Sequence, residues 1–139
     1  MAAFNKFNAF VADMPNGVHN LASNQLVVAL CAAANAPVAT NSVLANLTQI
    51  SYTNLSTRNI TTTSSTQSSG TYKLILQDLV LTASGAVATF RYIVIYNDTP
   101  TSPADPLIAW YDYGSDVTLA NGETFTIDFD GTAGLFSLA

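Results

Sequence analysis

The sequence predicts an all-β protein: an antiparallel sandwich of the jelly-roll kind, or a simpler Greek-key sandwich, with a short N-terminal helix. Short runs rich in β-branched and aromatic residues recur between turn-forming residues along most of the chain. Apolar and polar residues alternate from Thr124 to Phe129, which is typical of a strand with one buried face. Helical patterns do not alternate with the strands, which argues against a parallel α/β fold. At 139 residues, the chain (1–139) has the size of a single domain.

The first 22 residues form a predicted N-terminal helix or arm (1–22). Apolar residues recur there at spacings of three or four and would form a stripe on one helical face: Phe4, Phe7, Val11 and Met14, with Phe10 alongside. Pro15-Asn16-Gly17 interrupts the pattern, after which a helix could resume. So short a helix cannot form its own core, so we expect its phenylalanines to dock on the sheet or on a neighbouring chain.

The next part of the chain contains one apolar run and one polar run. Residues 26–34 (LVVALCAAA) are continuously apolar and are bounded by turn residues, which favours a buried strand. Residues 43–52 are typical of a short strand or an irregular edge. Residues 56–70 are rich in Ser and Thr and contain no core-forming stretch, which predicts a mobile loop or an extended edge segment.

The stretch from Thr71 to Tyr96 is the densest β-forming region. Two apolar runs flank Ser84-Gly85, and Gly85 can supply the positive φ of a tight turn. We therefore expect these runs to form a central hairpin that other strands cover.

The remaining residues predict a stiff connection followed by three further strands. Three prolines lie within 97–106, which favours an irregular connection. Residues 107–114 (LIAWYDYG) form a predicted strand that turns at Ser115-Asp116. Asn121-Gly122 is a strong turn signal before the alternating strand, and the last residues, LFSLA, form a final short strand.

Charge is sparse and unevenly distributed. Charged residues make up 9% of the chain, against roughly 25% in typical soluble domains. Residues 14–57 carry no charge, whereas eight of the nine acidic residues lie from Asp78 onward. A surface with so few charges favours association with a partner. The net charge of −5 and four scattered basic residues argue against a nucleic-acid partner.

Other features indicate the compartment. Cys31 is the single cysteine and lies in an apolar run, which predicts a buried, unreactive thiol. We expect no signal peptide and no membrane span, because the N-terminus lacks a charged leader and no stretch reaches about 20 apolar residues. Synthesis in a reducing cytoplasm fits these features.

Few residues suggest catalysis or metal binding. His19, the one histidine, lies among turn residues, which favours a solvated side chain over a catalytic one. Asp128 and Asp130 would share a strand face about 7 Å apart, a separation used by inverting glycosidases, although polar alternation also explains them. Together with Glu123 they could surround calcium, although the spacing of an EF-hand is absent. We therefore expect no enzyme and no cofactor.

The aromatic group Trp110, Tyr111 and Tyr113 has two interpretations. An exposed pair could stack on sugar rings or anchor an interface. Filling of the core on one face, with ordinary surface on the other, would also account for it.

Most of the chain resembles a known group of proteins. The runs YKLILQDLVLTASGAVATFRYIVIYNDT, DPLIAWYDYGSDVTLANGETFTIDFD and GLFSLA, with AFNKFNAFV near the N-terminus, resemble small structural proteins encoded beside the major capsid protein in tailed bacteriophages. This group includes capsid cement (decoration) proteins, which are jelly rolls and often dimers. The resemblance implies a virion protein on the outer capsid surface that binds the major capsid protein and stabilises contacts between capsomers.

This resemblance also suggests a contact face. The charge-poor N-terminal third would meet the shell, with Phe4, Phe7, Phe10 and Val11 as anchors. The alternative function is a tail or fibre module that binds host glycan through Trp110, Tyr111 or Tyr113.

Overall fold

The computed structural model describes residues 2–139, which form ten strands and one α-helix. The elements are β1 Asn5–Lys6, α1 Asn8–Asp13, β2 Leu26–Cys31, β3 Asn59–Ile60, β4 Thr62–Ser68, β5 Thr71–Leu76, β6 Leu79–Thr82, β7 Phe90–Asn97, β8 Leu107–Val117, β9 Thr124–Ile127 and β10 Ser137–Leu138. Single 3₁₀ turns lie at Ala33–Asn35 and Leu44–Asn46.

The strands form three antiparallel sheets. The largest has the order β1-β8-β7-β2-β3, the second has the order β10-β5-β4, and the third pairs β6 with β9. The predicted all-β antiparallel sandwich with a short N-terminal helix is confirmed. The jelly-roll topology stays a prediction.

The main core lies between the five-stranded sheet and the two smaller sheets. Alternate residues of β2, Leu26, Val28 and Leu30, point into it and are fully buried. The smaller sheets contribute buried residues such as Leu74 of β5 and Leu81 of β6. Burial of apolar surface between sheets is the main force that holds such a sandwich together.

The opposite face of the five-stranded sheet is also buried. Val27, Ala29 and Cys31 of β2 lie there with Val94 of β7, in a second, smaller core that includes Phe7 and Leu107. Leu44 and Leu47, from the chain between β2 and β3, cover part of it. Burial on both faces explains why residues 26–31 are continuously apolar, and the predicted strand is confirmed up to Cys31.

The predicted central hairpin is wrong. β5 pairs with β4 and β10, β6 pairs with β9, and β7 pairs with β2 and β8, so the two apolar runs belong to different sheets. Gly85 does not adopt a positive φ; a Cβ there would lie 2.6 Å from Nδ2 of Asn54, which occupies that space. Local apolar content therefore identified the strands, whereas long-range packing determined their partners.

The Ser/Thr-rich loop predicted at 56–70 is largely a strand. β4 pairs with β5, and both Ser69 and Gly70 have positive φ, as in a type I′ two-residue turn. A polar strand is stable here because β4 lies at the edge of its sheet, where one face and one edge meet solvent. The second interpretation given for these residues, an extended edge segment, describes this region correctly.

The N-terminal helix is shorter than expected. Residues 5–6 form strand β1 on the edge of the five-stranded sheet, and only Asn8–Asp13 is α-helical. The helix does not resume after Gly17, where φ is +75°. Strand pairing with β8 fixes the extended backbone of residues 5–6, which the helical spacing of phenylalanines could not reveal.

The C-terminal elements agree in part with the sequence pattern. β8, β9 and β10 lie where strands were expected, and Gly122 adopts the positive φ of a turn. The turn expected at Ser115-Asp116 is wrong, since β8 continues to Val117. Residues 43–52 form no strand beyond one bridge between Val43 and Pro106.

Candidate functional site

An apolar groove lies between the N-terminal helix and the C-terminal strand. It has a volume of about 640 Å³. Its lining is almost wholly apolar and comprises Phe4, Phe10, Val11, Met14, Pro15, Phe136 and Leu138, with Lys6 and Ser137. Val11 and Leu138 are 55% and 61% exposed, among the most exposed large apolar side chains in residues 2–139.

Aromatic contacts form the floor of this groove. Phe136 packs edge-on against Phe10, with ring centroids 5.4 Å apart, and stacks against Phe4 at 6.4 Å. Phe4 in turn contacts Tyr111 of β8 edge-to-face. These contacts join residues near both termini to the sheet and so form an aromatic floor for the groove.

Two sheet edges flank the groove. β1 is the outer strand of the five-stranded sheet and β10 is the outer strand of the three-stranded sheet. Lys6 on β1 and Ser137 on β10 both line the groove. Lys6 forms no salt bridge, because the single ion pair in the described part of the chain joins Arg91 to Asp112.

The four predicted partner-binding residues do not form one exposed stripe. Phe7 is fully buried in the smaller core against Trp110, and Phe10 is buried in the main core. Phe7 is therefore no surface anchor and stabilises the fold, whereas Phe10 belongs mainly to the core although its ring also lines the groove. Phe4 and Val11 lie in the groove, and their role in partner binding stays a prediction.

The charge-free segment 14–57 is likewise divided between surfaces. β2 lies inside the five-stranded sheet, whereas residues around Leu44 and Leu47 cover that sheet's second core. The segment therefore forms no single contact face. Residues 26–31 of this segment are continuously buried, but many of its other residues are exposed, so burial explains the lack of charge only at β2.

His19 is buried, contrary to the expectation of a solvated side chain. Nδ2 of Asn97 donates to Nδ1 of His19 at 3.0 Å and to Oδ1 of Asn24 at 2.8 Å. The neutral ring therefore carries its proton on Nε2, which is buried without a hydrogen-bond partner. Burial lowers the pKa of His19, and the nearby Asp13 opposes this shift.

Three acidic residues that the sequence suggested for catalysis or for calcium binding instead stabilise turns. Asp128 and Asp130 follow the end of β9 rather than sharing a strand face, and Asp128 accepts a hydrogen bond from the Asp130 backbone N–H. Asp130 accepts from the N–H groups of Thr132 and Ala133, and these bonds lower its pKa. Glu123 accepts from the Ala120 N–H. Residues 2–139 contain no group of three potential metal ligands.

The three aromatic residues of β8 have different surroundings. Trp110 packs against Phe7 at 4.6 Å on one face of the sheet. Tyr111 lies on the other face, where burial raises its pKa to about 12. Tyr113 is 52% exposed beside Phe125, and both line a shallow depression with Tyr111 and Asp128.

The thiol of Cys31 is buried, as predicted. Its pKa is raised to about 11 by burial, which keeps it protonated and unreactive at neutral pH.

Comparison with known proteins identified no relative. No family model matches the chain, and searches of curated proteins and of solved structures returned no significant match. Among the described residues, no helix is long and apolar enough to cross a membrane.

Proposed function

We propose that this protein is a capsid cement (decoration) protein of a tailed bacteriophage. In this role it binds the major capsid protein on the outer capsid surface and stabilises contacts between capsomers. The observation that carries the proposal is the apolar groove, in which Val11 and Leu138 are more than half exposed. The resemblance of the β-rich runs to such proteins supports the same function.

The physical basis of this function is linkage between binding and assembly. A protein that binds only the assembled shell lowers the free energy of that shell relative to its separated subunits. A rigid sandwich suits this role, because little conformational entropy is lost when it bridges two subunits. Many copies on a symmetric lattice act together, so each contact can be weak.

The groove is suited to an apolar protein surface. Burial of an exposed Val or Leu side chain contributes about 1.5–3 kcal/mol, and two lie here beside partly buried aromatic rings. The unpaired Lys6 at its rim would attract a carboxylate on the partner. Among the four predicted anchors, Phe4 and Val11 line this groove without being buried.

The test is binding to shells assembled without this chain. The wild-type protein should co-sediment with the shells and raise their resistance to heat and to chelators. Val11→Asp and Leu138→Asp should each weaken binding at least about tenfold, because each would place a charge that loses its hydration in an apolar contact. Val80→Asp is the matched control, since Val80 is 49% exposed on β6, away from the groove.

The outcomes of this experiment distinguish the cement function from the use of the groove as its contact surface. Absence of co-sedimentation by a folded wild-type protein would rule out the cement role. Equal loss of binding in all three variants would show that the contact does not use the groove.

A second candidate function is a tail or fibre module that binds host glycan. The depression at Tyr113 favours it, because a half-exposed aromatic ring lies beside the Asp128 carboxylate, and sugar sites combine such groups. Trp110 is less suitable, since its ring packs against Phe7. Glycan-array binding that is lost in Tyr113→Ala, but retained in Val11→Asp, would support this function over the first.

A further inference from the structure

Strand β4 is an open sheet edge with little of the usual protection: its one irregularity against β5 lies between Thr62 and Ser64, and its register is regular from Ser64 to Ser68. It lies at the end of the order β10-β5-β4, so one side of its backbone pairs with no other strand among residues 2–139. Edge strands in natural proteins are commonly shortened or carry Lys or Pro, which discourages pairing with other chains. β4 is seven residues long (TTSSTQS), and residues 59–72 contain neither proline nor charge.

The hydrogen bonds of β5 show which groups of β4 are free. The N–H of Leu74 donates to Phe136 O at 3.3 Å, and Leu74 O accepts from the Leu135 N–H at 2.8 Å. Leu74 therefore directs its backbone groups towards β10, away from β4. Ser65 lies opposite Leu74, so the backbone N–H and C=O of Ser65 point to the open side of β4. Those of Gln67, two residues further along the strand, point the same way.

We propose that β4 pairs antiparallel with β4 of a second copy, around a two-fold axis at Thr66. In this register the backbone N–H and C=O of Ser65 pair with those of Gln67 in the second copy. Gln67 pairs in the same way with Ser65 of the second copy, so the edge is self-complementary. The pairing joins two three-stranded sheets into one continuous sheet across the dimer. This surface is separate from the apolar groove, so the inference does not depend on the proposed function.

Electrostatics favours a second copy over a strand of another protein. The edge has no charge or large apolar side chain that would select a foreign strand, and two uncharged strands meet without repulsion. The nearest charged residue on β5 is Lys73, opposite Thr66. Across the dimer the two Lys73 residues would lie three strand spacings apart, about 14 Å, beyond the Debye length of about 8 Å.

The first test removes one backbone donor. Sedimentation of the wild-type chain over a concentration series should show a monomer–dimer equilibrium. Gln67→Pro deletes an N–H that points away from β5, so the fold should persist while the dissociation constant rises at least about tenfold. Gln67→Ala is the matched control: it loses the side-chain bond to the Gly70 N–H but keeps the backbone donor, and should dimerise like the wild type.

The second test exploits the two-fold axis. Thr66→Lys and Thr66→Glu each place like charges opposite one another, so each protein alone should be mainly monomeric. An equimolar mixture should recover the dimer, because Lys then faces Glu. The control variants are Thr124→Lys and Thr124→Glu, at an exposed strand residue on β9. Each should dimerise like the wild type.

Three results would overturn the proposal. The first is a wild-type chain that stays monomeric at high concentration. The second is a dimer that Gln67→Pro and the Thr66 variants leave intact. The third is a mixture of Thr66→Lys and Thr66→Glu that stays monomeric while each variant melts like the wild type.

Discussion

At the scale of single residues, the structure assigns structural roles to the polar groups that suggested chemistry. Asp130 and Glu123 accept hydrogen bonds from backbone N–H groups in turns. His19 was expected in solvent because its sequence neighbours are polar and turn-forming. Its ring instead packs against Phe10, with centroids 5.4 Å apart, and accepts a hydrogen bond from Asn97 of β7. A contact between residues so distant in the chain leaves no local signal.

The burial of His19 predicts a pH-dependent stability. Its pKa is lowered in the folded protein, so the unfolded state binds protons first as the pH falls below 6.5. The free energy of unfolding should therefore be constant above this pH and decrease below it, towards the lowered folded pKa. Denaturant titrations on either side of pH 6.5 measure this slope.

His19→Gln provides the control for this prediction. The variant should be less stable overall by about 1–2 kcal/mol, because the Gln amide does not place an acceptor where Nδ1 of His19 accepts from Asn97, but its stability should be flat across the same window. Asp105, whose pKa is raised by burial and by Asp98, is present in both proteins and cancels in the comparison. Identical slopes for the two proteins would contradict the role of His19.

At the scale of elements, turn geometry determines how the C-terminal segment reaches the sheet. Gly134 has φ of +82°, and its N–H donates to Asp130 O at 2.9 Å. The next residue, Leu135, is buried in the main core and bonds to Leu74 O of β5. This turn therefore brings β10 alongside β5 and places Phe136 in the groove.

Gly134→Ala should destabilise the protein by about 1–3 kcal/mol. The added Cβ would lie 2.6 Å from Leu74 O, and the backbone would hold an L-residue at positive φ. Gly131→Ala is the matched control, since its Cβ would meet nothing within 4 Å and no positive φ is required. Thermal or denaturant unfolding checks both, and equal stabilities would contradict the tight approach of this turn to β5.

At the scale of the whole molecule, one sheet separates two cores. The main core fills the sandwich, and the smaller core lies under the chain between β2 and β3. Phe7 belongs to the smaller core, whereas Phe4, three residues earlier, packs on the opposite side of β8. The N-terminal arm thus wraps the sheet edge and helps to close both cores.

This arrangement predicts that Phe7 contributes strongly to the stability of the folded protein. Phe7→Ala should lower the free energy of unfolding by about 3–5 kcal/mol, because it leaves a cavity beside Trp110. Val11→Ala, at a side chain 55% exposed, should change it by no more than about 0.5 kcal/mol. Fluorescence of the single Trp110 during denaturation reports both values. A small effect of Phe7→Ala would indicate that the second core contributes little to stability.

The sequence by itself determined the all-β class, most of the strands and the buried state of Cys31, because apolar content and turn residues act locally. Only the tertiary structure decided which strands pair, that residues 5–6 extend beside β8, and that β4 is a strand rather than a loop. Pairing depends on backbone bonds and burial between distant segments, to which a polar run such as TTSSTQS contributes no apolar pattern. The groove also belongs to the tertiary structure, since it is assembled from residues near both ends of the chain.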